Sequence, residues 1–310
     1  MSKLAIIIII EPGLLELQAK LLIDSIHKYL APKIDVDVFT FSPRKDRKPA
    51  PEMLAYLTQN VKQHNNMDLN EKYDYFPLAN GLFASRYFEA TYSDYEHVLL
   101  TDTDTVFLNC LPEEVFEPDT LYLSPADNKG VGTNGTHDGH DLFWQAMFDF
   151  FNLKLPEPHI QTTVRTETIR PYHNSGFVLA NNLPGLFTQW YDDFDALMES
   201  GLKPDFIGRD GTDFGFFEQL VLSVTAARYP GCVRYFPPTI NYPVPFRPFL
   251  KETREQEPFE KLVHIHYHKW FQHPGFLAHV TSEQERATDV YAWLKNYLPL
   301  QPSIEGPFKC

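Results

Sequence analysis

Cysteine is scarce in this chain. The 310 residues hold three, Cys110, Cys232 and Cys310, far apart, odd in number and without a C-x-x-C spacing. That excludes a disulfide framework and a cysteine-built zinc site, and a reducing, cytoplasmic setting is expected. Positive charge is equally short: 27 Lys and Arg stand against 41 Asp and Glu, a formal net charge of −14. Such a surface repels polyanions, so nucleic acid and acidic membrane are not expected partners, and an anionic substrate needs a local cation. Long apolar runs are missing as well. The longest, Leu4 to Ile10, ends at Glu11-Pro12 without a small-residue cleavage pattern. It is too short for a signal peptide or a membrane span and reads as a buried first strand. No repeat of fixed period and no low-complexity tract is present.

What remains is an ordinary globular composition, 43% hydrophobic and 15% aromatic, enough for one large core. The first strand breaks at Pro12-Gly13, and Leu15, Ala19, Leu22, Ile26 and Tyr29 follow at helical spacing. Ile34 to Phe41 alternates as a second strand, a helix is expected at about Glu52 to Lys62, and PLANGLFASRYFEATY predicts another that leads into HVLLTDTDTVFLN, residues 97–109. Further strands are expected in LYLSPA, NSGFVLAN and KLVHIHYHKWF. Helices are expected in DLFWQAMFDFF, LPGLFTQWYDDFDALMES, TDFGFFEQLVLSVTAA and, capped at Thr281-Ser282, TSEQERATDVYAWLKNYL. Residues 154–172 form a Pro- and Thr-rich loop with little regular pattern. Strands separated by helices predict an α/β sheet with mostly parallel neighbours, whose ligands bind at the carboxyl ends of strands.

Asp102 and Asp104 sit at such an end. Two carboxylates beside apolar burial repel each other and lose hydration, so they stay ionised only with a cation or strong donors nearby. Three chemistries can use the pair: a metal-bridging Asp-x-Asp of a nucleotide-sugar transferase, a haloacid-dehalogenase-type phosphatase with Asp102 as nucleophile and Asp104 as acid, or none, as in a non-catalytic sugar-nucleotide-binding protein. The phosphatase needs a later acidic pair at a strand end. Asp192, Asp193 and Asp195 form the only acidic cluster downstream, and they fall in a helical pattern that reads as a solvated face. In VHIHYHKWF, strand alternation would put His264, His266 and His268 on one face, a metal-ligand candidate, with Lys269 as a local cation for a phosphate. Asn174 and Ser175 offer amide and hydroxyl partners for sugar hydroxyls at the turn before a strand, and Glu218-Gln219 has similar reach.

Arg86-Tyr87, LLTDTDTVF, HNSGFVLA, FFEQLVL and VHIHYHKWF occur in the order and approximate spacing of retaining glycosyltransferases of family 8, the glycogenin and lipopolysaccharide galactosyltransferase group, which the chain resembles from residue 4 to about 271. The resemblance implies a GT-A fold: a Rossmann-like, mixed, mostly parallel central sheet flanked by helices, in one domain over residues 1–300. Residues 1–110 would be the nucleotide-binding half, 111–300 the donor-sugar and acceptor half, and 301–310 a tail. It implies transfer from a nucleotide diphosphate donor, a UDP-sugar, with retention of configuration. Asp102 and Asp104 would bind Mn²⁺ or Mg²⁺ with His266 or His264 as a further ligand, His266 copying the local pattern better. Lys269 would hold the β-phosphate, Arg86 a phosphate or the donor sugar, and Thr103 would join the donor contacts. Asn174, Ser175, Glu218 and Gln219 would hold the donor sugar and face its anomeric carbon, with Glu218 the candidate nucleophile if the reaction runs through a carboxylate-linked intermediate. The chain departs from the family in having Glu218 for the usual Asp, a shorter His-to-Lys interval, and EPGLLELQ after the first strand. The acceptor, a glycan, lipid-linked glycan, protein or small molecule, is expected at the loop from Asp127 to Tyr172.

Overall fold

The computed structural model describes residues 3–203, 216–250 and 256–300. The expected tail and residues 212–215 of one expected helix lie outside the described residues. In chain order the elements begin β1 (Leu4–Ile9), α1 (Leu14–Ser25), β2 (Val36–Phe41), α2 (Pro51–Asn60), β3 (Gln63–Asn65), α3 (Asn80–Thr91), β4 (His97–Thr101) and β5 (Thr105–Phe107). They continue with β6 (Thr120–Pro125), α4 (Asp141–Phe150), β7 (Ile160–Gln161), β8 (Thr168–Ile169), β9 (His173–Asn181), α5 (Leu186–Ser200) and α6 (Phe217–Ala227). Last come β10 (Val233–Tyr235), β11 (Tyr242–Pro243), α7 (Arg247–Leu250), β12 (His264–His266), α8 (Phe276–His279) and α9 (Asp289–Lys295).

Seven strands form the central sheet in the order β10-β6-β9-β4-β1-β2-β3, parallel except for β9, which runs against both β4 and β6. This is the mixed α/β arrangement of a GT-A-like fold, with helices on both faces. Such a sheet demands strands that are apolar on both sides, and β1, LAIIII, meets the demand. Alternate side chains go to opposite layers: Ala5 and Ile7 pack with Phe39, Phe88, Leu100 and Trp190, whereas Leu4, Ile6 and Ile8 pack with Leu22, Ile26, Leu57 and Phe177. A smaller sheet, β11-β12-β5, sits under a third apolar cluster built from Leu21, Val106, Ile265, Tyr267 and the C-terminal segments.

Three local readings change. KLVHIHYHKWF is extended only over His264–His266: Tyr267 N–H donates to the Asp104 carbonyl (3.0 Å), and His268 turns left-handed with φ +52°. The loop 154–172 contains the β7-β8 hairpin. No single helix starts at Thr281-Ser282, because Glu285 is drawn onto Arg247 (2.6 Å) and closes only a 3₁₀ turn; α9 begins after its own cap, Thr288, which accepts from Tyr291 N–H (3.3 Å).

Candidate active site

Two strand pairings assemble the site. The antiparallel register of β4 and β9 pairs Thr101 with Phe177, and the next Asp102 N–H donates to the Gly176 carbonyl (2.9 Å), so the exit of β4 lies beside the entry of β9. In the smaller sheet β12 pairs antiparallel with β5, His266 opposite Thr105, which brings His266 to Asp104. The Asp-Thr-Asp turn is held shut by Thr105 Oγ1 donating to the Asp102 carbonyl (2.6 Å) and by the Tyr267 hydroxyl on the Thr103 carbonyl (3.4 Å).

Asp104, His266 and His268 converge. His266 Nε2 stands 3.2 Å from one Asp104 oxygen and His268 Nδ1 3.8 Å from the other, and one ligand atom from each of the three falls within 4.8 Å of the rest. One carboxylate and two imidazoles suit a divalent ion. The local electrostatics already call for a cation. Burial opposes charge on His266, but Asp104 and Asp102 outweigh it and push its pKa up to about 9. Burial and the His266 charge push His268 down to about 4. Asp104 also meets a burial penalty, which His266 overcomes, so its carboxyl stays below the usual range. Without a metal, a proton on His266 supplies the positive charge the acids require.

His264 does not join this group. Its ring centroid lies 4.0 Å from that of Phe177 and 4.6 Å from that of Phe107, fully buried, and neither nitrogen has a hydrogen-bond partner among the described residues. Burial drives its pKa well below the ordinary value, so it is a neutral core side chain. The left-handed turn at His268 is what exchanges the two: once alternation stops at His266, the third histidine swings back onto Asp104, with its ring 4.1 Å from that of His266.

Beside the cluster is a cavity of about 260 Å³ lined by Asp102, Thr103, Asp104, Ser175, Glu218 and Trp190, among others. Asp102 lines it and remains exposed. Desolvation by the surrounding protein, followed by the charge of neighbouring Asp104, raises its carboxyl pKa to about 6. Glu218, in the first turn of α6, is 4% exposed, and burial followed by the Asp102 charge raises it to about 7. Ser175 Oγ is 3.3 Å from both Glu218 Oε1 and Gln219 Oε1, while Glu218 Oε2 has no hydrogen-bond partner among the described residues. Gln219 also accepts from Ser175 N–H (3.1 Å), and the Trp190 indole donates to the Glu218 carbonyl (3.0 Å), fixing α6 against β9 and α5. Asn174 Oδ1 accepts from Gly176 N–H (2.9 Å) and from Asn241 (3.1 Å), which makes it a brace of the turn. Thr103 Oγ1 donates to Gln18 (3.4 Å).

Two expected cations stand apart. Among the described residues lining the cavity neither Arg86 nor Lys269 occurs. The Arg86 guanidinium lies 3.9 Å over the Tyr191 ring, and exposed Lys269 extends over Trp270. The opposite wall is built from residues that form no motif in the sequence. Glu11, at the carboxyl end of β1, is 5% exposed, ion-paired with Arg44 and hydrogen-bonded by Asn80 (3.0 Å), and Glu11, Asn80 and Gln18 all line the cavity. The rule that ligands sit at carboxyl ends of parallel strands was the available signal for Glu11. The downstream acidic cluster is no solvated face throughout: Asp193 is 2% exposed and held bidentately by Arg228, at 2.8 and 2.9 Å.

Residues 6–228 match the Rhodobacterales glycosyltransferase domain. The chain belongs to that family, and it is a glycosyltransferase, an enzyme that moves a sugar from a nucleotide-sugar donor to an acceptor and releases the nucleotide. The match takes in Asp102, Asp104, Asn174, Ser175, Glu218 and Gln219 and stops before His266 and His268. No curated protein matches the chain. Among the described residues no helix is long and apolar enough to cross a membrane.

Proposed function

We propose that this glycosyltransferase is a metal-dependent hexosyltransferase of the family 8 type, moving a sugar from a UDP-sugar with retention of configuration. The observation that carries the reading is the meeting of Asp104, His266 and His268 at the edge of the cavity that holds Asp102, Ser175 and Glu218. Asp104, His266 and His268 would hold Mn²⁺ or Mg²⁺, with Asp102 facing it from the cavity. A bound divalent ion would neutralise charge on the departing diphosphate. The chain's own groups do the rest. Ser175 Oγ and the Gln219 amide, mutually hydrogen-bonded, orient donor hydroxyls, and Asn174 keeps their turn rigid. Glu218 faces the same space, one of its oxygens without a hydrogen-bond partner among the described residues. At neutral pH it is poised between its two protonation states, and a cation beside Asp102 shifts it toward the carboxylate, the form that can attack or shield an anomeric carbon. Lys269 and Arg86, both on the surface, reach donor phosphate only by reorienting, so their contribution is the more remote one.

Calorimetric titration with UDP, GDP, CDP and ADP, each with Mn²⁺ and with EDTA, tests the reading. UDP is expected to bind with Mn²⁺ only, and Asp104→Asn is expected to weaken it at least ten-fold while leaving the melting temperature within a few degrees. Absence of metal-dependent binding by any of the diphosphates, or full affinity in Asp104→Asn, would overturn it.

A further inference from the structure

An open cleft of about 880 Å³ is lined by Asn128, Lys129, Arg165, Glu167, Phe246 and Phe249, among others. Its link to the candidate active site is direct. The Phe246 ring centroid is 6.4 Å from that of His268, and His268 Nε2 is 3.9 Å from Asp127, the residue before Asn128. Asp127 in turn fixes the approach to the β7-β8 hairpin through Thr163 Oγ1 (2.5 Å) and Val164 N–H, which donates to its carbonyl (3.0 Å). Phe246 and Asp127 thus connect the cleft to His268.

Its chemistry is mixed in a specific way. Phe249 is 46% exposed, an aromatic ring left in water on α7 next to half-buried Phe246. Around the rings stand an amide, Asn128; an ammonium, Lys129, immobilised by its ion pair with buried Asp138; and an exposed guanidinium and carboxylate, Arg165 and Glu167, from the hairpin turn. Arg165 forms no ion pair among the described residues, although acids outnumber bases in the chain. A lipid chain in this cleft would strip water from four polar side chains and return no hydrogen bonds. A pyranose satisfies both halves. Its axial C–H face carries small positive charge suited to the negative face of an aromatic ring, and its vicinal hydroxyls accept from Arg165 and Lys129 and donate to Glu167.

We propose that this cleft is the acceptor subsite and that the acceptor is a saccharide, its ring stacked on Phe249 and its hydroxyls held by Arg165 and Glu167; the assignment rests on the transferase reading above. Saturation-transfer NMR with methyl glucoside, methyl galactoside and methyl N-acetylglucosaminide on the full chain tests it, alongside UDP–Mn²⁺ calorimetry on the same samples. At least one glycoside should receive saturation on its ring protons, and Phe249→Ala and Arg165→Ala should each weaken it at least five-fold with UDP affinity unchanged. UDP binding with no glycoside signal, or signals equal in both variants and wild type, would overturn the cleft alone. Glycoside binding lost in the variants, with no UDP binding, would leave a saccharide site here and remove the transferase reading instead.

Discussion

A Cβ on Gly176 would stand 2.5 Å from Asp102 Oδ2 and 3.1 Å from Asn174 Oδ1. The first distance is one that bonded chemistry, not packing, produces, so any side chain here must move the Asp102 carboxylate. Asp102 borders an open cavity and can swing away, which keeps the cost in stability low compared with the usual roughly 1–3 kcal/mol of overpacking a closed core. The cost in function follows from geometry, since a displacement near 1 Å in a reacting site can cost about 100-fold in rate. Gly176→Ala is therefore expected to keep a melting temperature within a few degrees of wild type while lowering sugar transfer by about 100-fold. Thermal denaturation and a transfer assay on one preparation check both halves. A variant that melts early and transfers normally would mean that Gly176 serves packing and that the place of Asp102 is immaterial.

At the scale of elements, the β5-β12 pair decides which histidines face the acids. His264 points into the apolar layer with two nitrogens unpartnered among the described residues, a burial that costs about 1–3 kcal/mol where no hydrogen bond compensates. Phe107 and Phe177 already surround it with aromatic surface. His264→Phe is thus expected to leave metal-dependent UDP binding intact and to hold or raise stability, whereas His266→Ala is expected to weaken that binding at least ten-fold. Calorimetry and chemical denaturation of the two variants separate them, and a His264→Phe protein that loses metal would refute the division. The same pair shows what a sequence can convey. Asp102 and Asp104 at a strand end and Ser175 at the entry of β9 were legible in place because apolar periodicity fixes where strands begin and end, whereas Glu218 was expected within a helix running from Thr212 and was grouped with them only by the order of the motifs. His264 against His268 was not, because strand alternation was extended through a position where the backbone turns left-handed, and nothing in HIHYHKW marks that turn. Glu11 and Arg44 pair across 33 residues, a long-range contact without local pattern. The buried Asp193–Arg228 pair hid in the same way inside an acidic run that by itself suits a solvated face.

Across the whole molecule the groups with shifted pKa values pull stability in opposite directions with pH. His64, His173, His264 and His268 all have lowered pKa values, His173 at about 3 and His268 at about 4, because burial disfavours their charged forms. The unfolded chain takes up protons at these sites below about pH 6.5 while the folded chain does not, so stability is lost as the pH falls from there. Asp102, raised to about 6, and Glu218, raised to about 7, act the other way: their contribution is present below their ordinary values and is lost as pH rises through 6 and 7. Below 6 the four histidines outnumber the two carboxyls, so stability still climbs with pH. Above about 7 the histidines and carboxyls are level with the unfolded chain, and His266 remains. Its contribution, present below its ordinary value, is lost as pH rises through about 9. The metal-free protein is therefore expected to be most stable near pH 6 to 7 and to weaken on both sides, with the alkaline limb due to His266. Melting temperatures from pH 4 to 9 in EDTA measure this. His266→Asn should flatten the alkaline limb and His264→Phe should make the acid limb shallower. A divalent ion should also move the optimum upward, because it binds ionised Asp104 and neutral imidazole and so replaces the proton that the acids otherwise draw onto His266. A profile that rises steadily to pH 9 in EDTA would show that His266 carries no such proton, and the electrostatic case for a cation at Asp104 would fall with it.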